Sequence, residues 1–115
     1  MSKHENILRT LIDMFEKIYE ELKITFPEIR KNVGGYEYKK DNFTVYISIF
    51  PNEIEVVAEL SFLDGDYFLD FSFCNPEGAV LKEGKHIEGD ETKILKEIKY
   101  EESDIKKSII FLLSC

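Results

Sequence analysis

Three successive segments between residues 43 and 74 alternate apolar and polar side chains, and this alternation constrains the fold more than any other feature of the chain. In Phe43 to Phe50 the odd positions form an apolar face, and in Ile54 to Phe62 the even positions do so. Tyr67 to Cys74 repeats the pattern after Asp64 and Gly65, a pair that favours a tight hairpin turn. A period of two is that of a strand buried on one side. The sequence therefore predicts a three-stranded antiparallel meander.

The segments that flank this meander carry weaker strand signals. Tyr36 to Lys40 predicts a short strand at its edge, once Gly34 and Gly35 have closed the connection from the preceding segment. On the other side, Ala79 to Lys82 predicts one more short strand, and Gly84 to Gly89 predicts a loop. The sheet is therefore expected to have three to five strands.

An amphipathic helix is predicted from about Ser2 to Leu22, because apolar residues recur there at steps of three and four. These residues are Ile7, Leu8, Leu11, Ile12, Phe15, Ile18, Tyr19 and Leu22. Pro27 ends the pattern, since proline lacks the backbone donor that a helix interior needs. We expect the apolar stripe of this helix to pack on the sheet.

A second amphipathic helix is predicted at the C-terminal end of the sequence. Ser103 is the predicted N-cap, and Asp104 lies in the first turn, where a negative charge is favourable. The apolar side chains Ile105, Ile109, Leu112 and Leu113 fall on one face. Residues 94–100 fit either a strand or a helical turn, so periodicity leaves both open.

These elements together predict one α+β domain, with an N-terminal helix, an antiparallel meander and a C-terminal helix packed on the sheet. A chain of 115 residues is within the size range of one domain. Nine Phe and six Tyr supply large apolar area for a core.

The composition also predicts the cellular setting. The first residues lack the apolar run of a signal peptide, and the most apolar stretch, Ile109 to Leu113, is far shorter than the roughly 20 residues of a membrane span. Cys74 and Cys115 are expected to be free thiols in a reducing compartment. We therefore expect a cytoplasmic protein with no membrane association.

Negative charge is concentrated in the middle of the chain. Residues 34–63 contribute −3 and residues 64–91 contribute −6 to the formal net charge of −8, whereas residues 1–33 sum to 0 and residues 92–115 to +1. Such a surface repels nucleic acid and attracts a basic protein. The alternative is that net charge serves solubility alone.

The acidic residues of the meander and its loops are accordingly predicted to bind a basic protein, together with one tyrosine. The predicted binding residues are Tyr46, Glu55, Glu59, Asp64, Asp66, Asp70, Glu88 and Asp90. Tyr46, Phe50 and Phe68 lie opposite the main apolar stripes, where aromatic side chains suit an interface. The competing expectation is that the terminal helices cover both faces of the sheet. That arrangement is favoured for Phe50 and Phe68 and is left open for Tyr46.

No catalytic, cofactor or metal site is predicted. Asp64 and Asp66 lack the twelve-residue loop of a calcium-binding EF-hand, and a hairpin turn explains them better. His4 and His86 have no His or Cys at zinc-ligand spacing. A Cys74–His86 nucleophilic pair remains a minor alternative, and the preferred interpretation of Cys74 is a small buried apolar side chain.

The order of helix, antiparallel meander and helix in a small acidic chain resembles the immunity proteins that bacteria encode beside secreted or contact-delivered toxins. The resemblance covers the whole chain and transfers no residues. It implies an acidic surface that covers the basic active site of a cognate toxin. Two alternatives stay open: a dimeric secretion-chaperone-like protein that holds an effector segment, with Ile109 to Leu113 as its dimer seam, and a small-ligand binding domain or enzyme.

Overall fold

The computed structural model describes residues 4–114 and shows an α+β fold. Its five antiparallel strands are preceded by one helix and followed by another along the chain. The elements are α1 (Glu5–Thr25), β1 (Arg30–Lys39), β2 (Asn42–Phe50), β3 (Ile54–Leu63), β4 (Asp66–Cys74), β5 (Val80–Gly89) and α2 (Glu91–Leu113). Consecutive strands are neighbours, in the order β1-β2-β3-β4-β5. The predicted antiparallel meander with a C-terminal helix on the sheet is therefore confirmed.

The turn at Asp64 and Gly65 is formed as the sequence predicts. Both residues have positive φ, 52° and 85°. Two left-handed residues in a two-residue hairpin loop match the right-handed twist of the flanking strands, and Asp-Gly tolerates this conformation. The turn places Leu63 opposite Asp66 and so sets the register of β3 against β4.

Helix α1 ends slightly later than its apolar stripe suggests, at Thr25 rather than Leu22. The amide of Phe26 still donates to the carbonyl of Leu22, so the last turn closes just before Pro27. The predicted start at Ser2 lies outside the described residues. The buried side chains of α1 are Ile7, Leu11, Met14, Phe15, Ile18, Tyr19 and Leu22.

Helix α2 begins thirteen residues earlier than predicted, and the N-cap at Ser103 is wrong. Its N-cap is Asp90, whose Oδ1 accepts a hydrogen bond of 2.9 Å from the amide of Lys93. Residues 94–100 are helical because Ile94 and Ile98 lie one turn apart and continue the buried stripe of Ile105 and Ile109. The predicted alternative of a strand at 94–100 is therefore excluded.

Both outer strands are longer than predicted. Gly34 and Gly35 lie inside β1, paired with Tyr46 and Val45, and do not close a connection. The segment from Gly84 to Gly89, predicted as a loop, belongs to β5. A Cβ on Gly84 would lie 2.7 Å from the carbonyl oxygen of Phe71, so this glycine allows β5 to approach β4 at a bulge.

The two helices pack on the same face of the sheet, which corrects the expectation that they cover both faces. α1 contacts β1 and β2, α2 contacts β3, β4 and β5, and the helices contact each other. The buried sheet residues beneath them are Val45, Ile47, Ile49, Ile54, Val56, Ala58, Leu60, Tyr67, Leu69, Phe71, Phe73 and Ile87. Ile109 and Leu113 join this core. Neither helix of the described chain is long and apolar enough to cross a membrane.

The other side of the sheet is here called the open face, because no helix of residues 4–114 packs on it. Strand alternation and register assign its side chains. They are Arg30, Asn32, Tyr36, Tyr38, Asn42, Thr44, Tyr46, Ser48, Phe50, Glu55, Val57, Glu59, Ser61, Leu63, Asp66, Phe68, Asp70, Ser72, Cys74, Glu83, His86 and Glu88. Phe50 is 37% exposed and Phe68 is half-buried, so the expectation that helices bury them is wrong.

Candidate functional site

The register of the strands aligns one row of polar side chains across the open face. Tyr36 pairs with Thr44, Thr44 with Glu59, Glu59 with Asp70, and Asp70 with His86. Side chains directly opposite each other have Cβ atoms only about 5 Å apart. Glu59 and Asp70 therefore place like charges side by side in the centre of the sheet, which is unfavourable for folding.

His86 is held between two of these carboxylates. Its Nδ1 lies 2.5 Å from Oδ1 of Asp70, and its Nε2 lies 2.8 Å from Oε1 of Glu88. Only the imidazolium can donate from both nitrogens at once. Hydrogen bonds to Glu88 and Asp70 raise the pKa of His86 above its ordinary value. The side chain remains 47% exposed, so solvent reaches this bridge.

Aromatic side chains lie beside the carboxylates on the β1 and β2 side. The Tyr46 ring lies over Gly34, because a Cβ at that position would be 2.7 Å from the phenol oxygen. The rings of Tyr36 and Tyr38 meet edge to face at 6.4 Å. Partial burial and the nearby Glu59 carboxylate raise the pKa of Tyr38. The open face thus combines exposed tyrosines with an acidic half.

Six of the eight predicted binding residues share the open face. Tyr46, Glu55, Glu59, Asp70 and Glu88 lie within its strands, and Asp66 lies at its end, where β4 begins.

The other two predicted binding residues lie elsewhere. Asp64 is in the β3–β4 turn. Asp90 caps α2, so its carboxylate already serves the helix.

The predicted binding residues omit several side chains of the open face, among them Tyr36, Tyr38, Glu83 and His86. His86 lies in the segment from Gly84 to Gly89, where the two glycines suggested a loop. The alternation of His86, Ile87 and Glu88 was the available strand signal.

Lysine side chains pair with the acidic residues of the helices and form no ion pair with the carboxylates of the open face in residues 4–114. Four such pairs are Lys17–Glu102, Lys31–Glu16, Lys85–Glu101 and Lys106–Glu21. Within residues 4–114, His86 is the only side chain that forms an ion pair with the carboxylates of the open face. The negative charge of the open face is therefore available to a partner.

A second polar cluster lies on the helix side around the buried His4. His4 Nδ1 lies 2.9 Å from the phenol oxygen of Tyr67, and Nε2 lies 2.8 Å from Oδ1 of Asp41. The imidazole also contacts the rings of Phe43 and Phe62, and His4 is only 3% exposed. This cluster ties the start of α1 to the β1–β2 turn and to β4, with the Asp41 carboxylate at its partly exposed end.

The Cys74–His86 pair considered from the sequence is not formed. The Sγ of Cys74 lies 3.8 Å from Oγ of Ser72, and both nitrogens of His86 face carboxylates. Cys74 is a buried free thiol, as expected. Cys115 lies outside the described residues.

A groove of about 520 Å³ lies between β5 and α2. Phe71 and Phe73 form part of its floor, and charged side chains of both elements line its rim. Lys85 crosses from β5 to the buried carboxylate of Glu101, 3.2 Å away. Lys82 donates to Oγ of Ser108 at 2.6 Å. The side chains of the groove therefore pair largely with one another.

In the described part of the chain, no group of three or more His, Cys, Asp or Glu side chains is arranged to hold a metal ion. Comparison of the chain with protein families, with curated proteins and with solved structures found no match.

Proposed function

We propose that the chain is a non-catalytic protein-binding domain whose open face captures a basic protein. The specific form that we propose is an immunity protein that covers the basic active site of a cognate toxin. One observation carries the proposal: strand register brings Glu55, Glu59, Asp70 and Glu88 onto a sheet face that no described helix covers.

The dimensions of the open face suit a protein partner. Strands of nine or ten residues, with a rise of about 3.3 Å per residue and a spacing of about 4.8 Å, make a face roughly 20 Å by 30 Å. This footprint of about 600 Å² approaches the roughly 800 Å² that each partner contributes to an interface of standard size. Its exposed tyrosines also match the residue types enriched in interfaces.

The electrostatics of the open face favour fast and selective encounter. Clustered carboxylates attract a basic surface over a distance of about one Debye length, roughly 8 Å at physiological ionic strength. They also repel acidic competitors, including nucleic acid. An acidic sheet face can therefore compete for a basic nucleic-acid-binding site on a toxin.

The first prediction is that reversing Glu55, Glu59 and Asp70 to Lys together abolishes capture of the basic partner. The fold should persist, because all three side chains point away from the core. The measurement is a pull-down of the protein encoded by the neighbouring gene, with circular dichroism to verify folding. Binding is expected to fall at least tenfold, since several interface charges change sign.

The matched control reverses Asp13, Glu20 and Glu28, which are exposed on α1 and in the loop after it. This variant has the same net charge as the triple reversal on the open face. If both variants lose capture equally, total charge rather than the open face determines binding. Unchanged capture by the open-face variant would reject the proposed function.

The β5–α2 groove favours a second candidate function, the binding of a small ligand. Its volume of about 520 Å³ is within the usual range for ligand sites of about 300–1,000 Å³. Its aromatic floor and charged rim are the expected composition. A thermal-shift screen of small ligands on the wild type and on Ser108→Trp, whose indole would fill the groove, distinguishes the two candidates. Ligand binding in the groove should be lost in this variant, whereas partner capture by the open face should survive.

A further inference from the structure

We propose that His86 makes capture of the basic partner dependent on pH, because its imidazolium occupies the same carboxylates that the partner must reach. This inference rests on the proposed function and adds its regulation. Asp70 and Glu88 each face one nitrogen of His86, so the protonated ring acts as an internal cation at the centre of the acidic half. A cationic side chain of the partner competes with it.

Carboxylates face His86 from its own strand and from the neighbouring strands. On β4 it faces Asp70, and on β5 it lies near Glu88, with Glu83 earlier on the same side of the strand. Across β4 lies Glu59 of β3, paired with Asp70. Lys85 points to Glu97 and Glu101 of α2 on the opposite side. His86 is thus surrounded by carboxylates and by no other cation of residues 4–114 within ion-pair distance.

The register of β5 places His86 on the open face, beside the ring of Phe68. The Phe68 ring lies 6.5 Å from the imidazole at an interplanar angle of 34°. The half-exposed imidazole can therefore exchange its proton with solvent while it remains beside the carboxylates that the partner is proposed to bind. His4, the other histidine of the chain, is buried on the helix side and does not face the partner.

The direction of the pH effect follows from linkage. Asp70 and Glu88 raise the pKa of free His86, and a bound cation beside them lowers it again. Complex formation then releases a proton, so affinity increases as pH rises through the interval between the two pKa values. A single titrating group limits the gain to about tenfold per pH unit.

The effect on stability has the opposite sign. A folded-state pKa above the unfolded value means that the His86 bridge stabilises the fold at low pH. That contribution is complete below the unfolded pKa and is lost as pH rises through the folded pKa. Capture is thus expected to be weakest at acid pH, where the His86 bridge is intact, and to strengthen as pH rises through the folded-state pKa of His86.

The test uses a blocked twelve-residue peptide of alternating Arg and Gly as the probe, since arginine stays charged throughout. Binding is measured by fluorescence anisotropy at low salt from pH 5.5 to 8.5, where free carboxylates are ionised. The wild-type dissociation constant is expected to fall severalfold as pH rises. His86→Gln should remove this dependence, because glutamine binds no proton in this range.

Nuclear magnetic resonance of the imidazoles supplies the reciprocal measurement. Saturating peptide should lower the pKa of His86, whereas the resonances of buried His4 serve as the internal control. A His86→Gln variant that binds the peptide with the wild-type pH profile would overturn this inference and leave the proposed function standing. Absence of peptide binding at every pH would overturn both.

Discussion

At the scale of single residues, two glycines show how a missing side chain shapes this sheet. A Cβ on Gly34 would meet the phenol end of Tyr46, a flexible group that can move. A Cβ on Gly84 would meet the backbone of Phe71 at 2.7 Å, and backbone cannot yield so easily. Neither glycine has the positive φ that favours glycine in a turn. Close approach is therefore the reason for both.

We predict that Gly34→Ala and Gly84→Ala differ sharply in stability. Gly34→Ala should change the free energy of unfolding by less than about 1 kcal/mol, because Tyr46 can rotate away and alanine suits a strand at least as well as glycine. Gly84→Ala should destabilise by about 1–3 kcal/mol, as overpacking does. Urea denaturation of the two variants measures the difference. Equal losses would contradict the assigned contacts.

At the scale of elements, α2 shows why a local capping pattern can predict the wrong start of a helix. Ser103 with Asp104 resembles a helix start, but Ser103 is a solvent-exposed interior position of α2. The earlier cap at Asp90 follows directly on Gly89, so it was assigned to an acidic loop. A seven-residue stretch is too short for periodicity to separate helix from strand. Packing of Ile94 and Ile98 in the core decides in favour of helix.

Asp90 was predicted to bind a partner, and its position at the N-cap leads to a different prediction. Asp90→Ala should lower the free energy of unfolding by about 1 kcal/mol, because the amide of Lys93 loses its acceptor. Asp90→Ser should restore most of that loss. Capture of the basic partner should be nearly unchanged in both. A large loss of capture with intact stability would return Asp90 to the binding face.

The edge strands were the other elements that the sequence described poorly. Most side chains of β5 are exposed, with Ile87 its one buried residue. A strand that buries almost nothing carries almost no alternation, so apart from the short run of His86, Ile87 and Glu88 only pairing with β4 reveals it. The strand predicted in place of β1 was too short for a related reason. Gly34 and Gly35 are typical of turns, but here they lie inside β1, where their missing side chains allow β2 to approach closely.

At the scale of the whole molecule, the arrangement of charge sets stability and binding against each other. Carboxylates on the open face repel one another, whereas the helix side holds its acidic residues in pairs with lysine. Folding is therefore opposed by the same charges that would attract a basic partner.

We predict that salt acts in opposite directions on these two properties. Raising sodium chloride from about 0.02 M to 0.5 M should increase the melting temperature by a few degrees, because it screens repulsion on the open face. The same change should weaken capture of the basic partner at least tenfold. Calorimetry and binding at matched salt concentrations measure both. A variant that neutralises the directly opposed pair, Glu59→Gln with Asp70→Asn, should lose most of the salt-dependent stabilisation.

The sequence by itself determined the α+β class, the meander and which strand residues share a side, because strand alternation and the Asp64-Gly65 turn are local properties. It also determined that Glu55, Glu59 and Asp70 fall opposite the main apolar stripes. Only the tertiary structure decided that both helices pack on one face and leave the other open. The bridge of His86 to Asp70 likewise depends on the register of β5 against β4, a pairing between distant residues that no local pattern encodes.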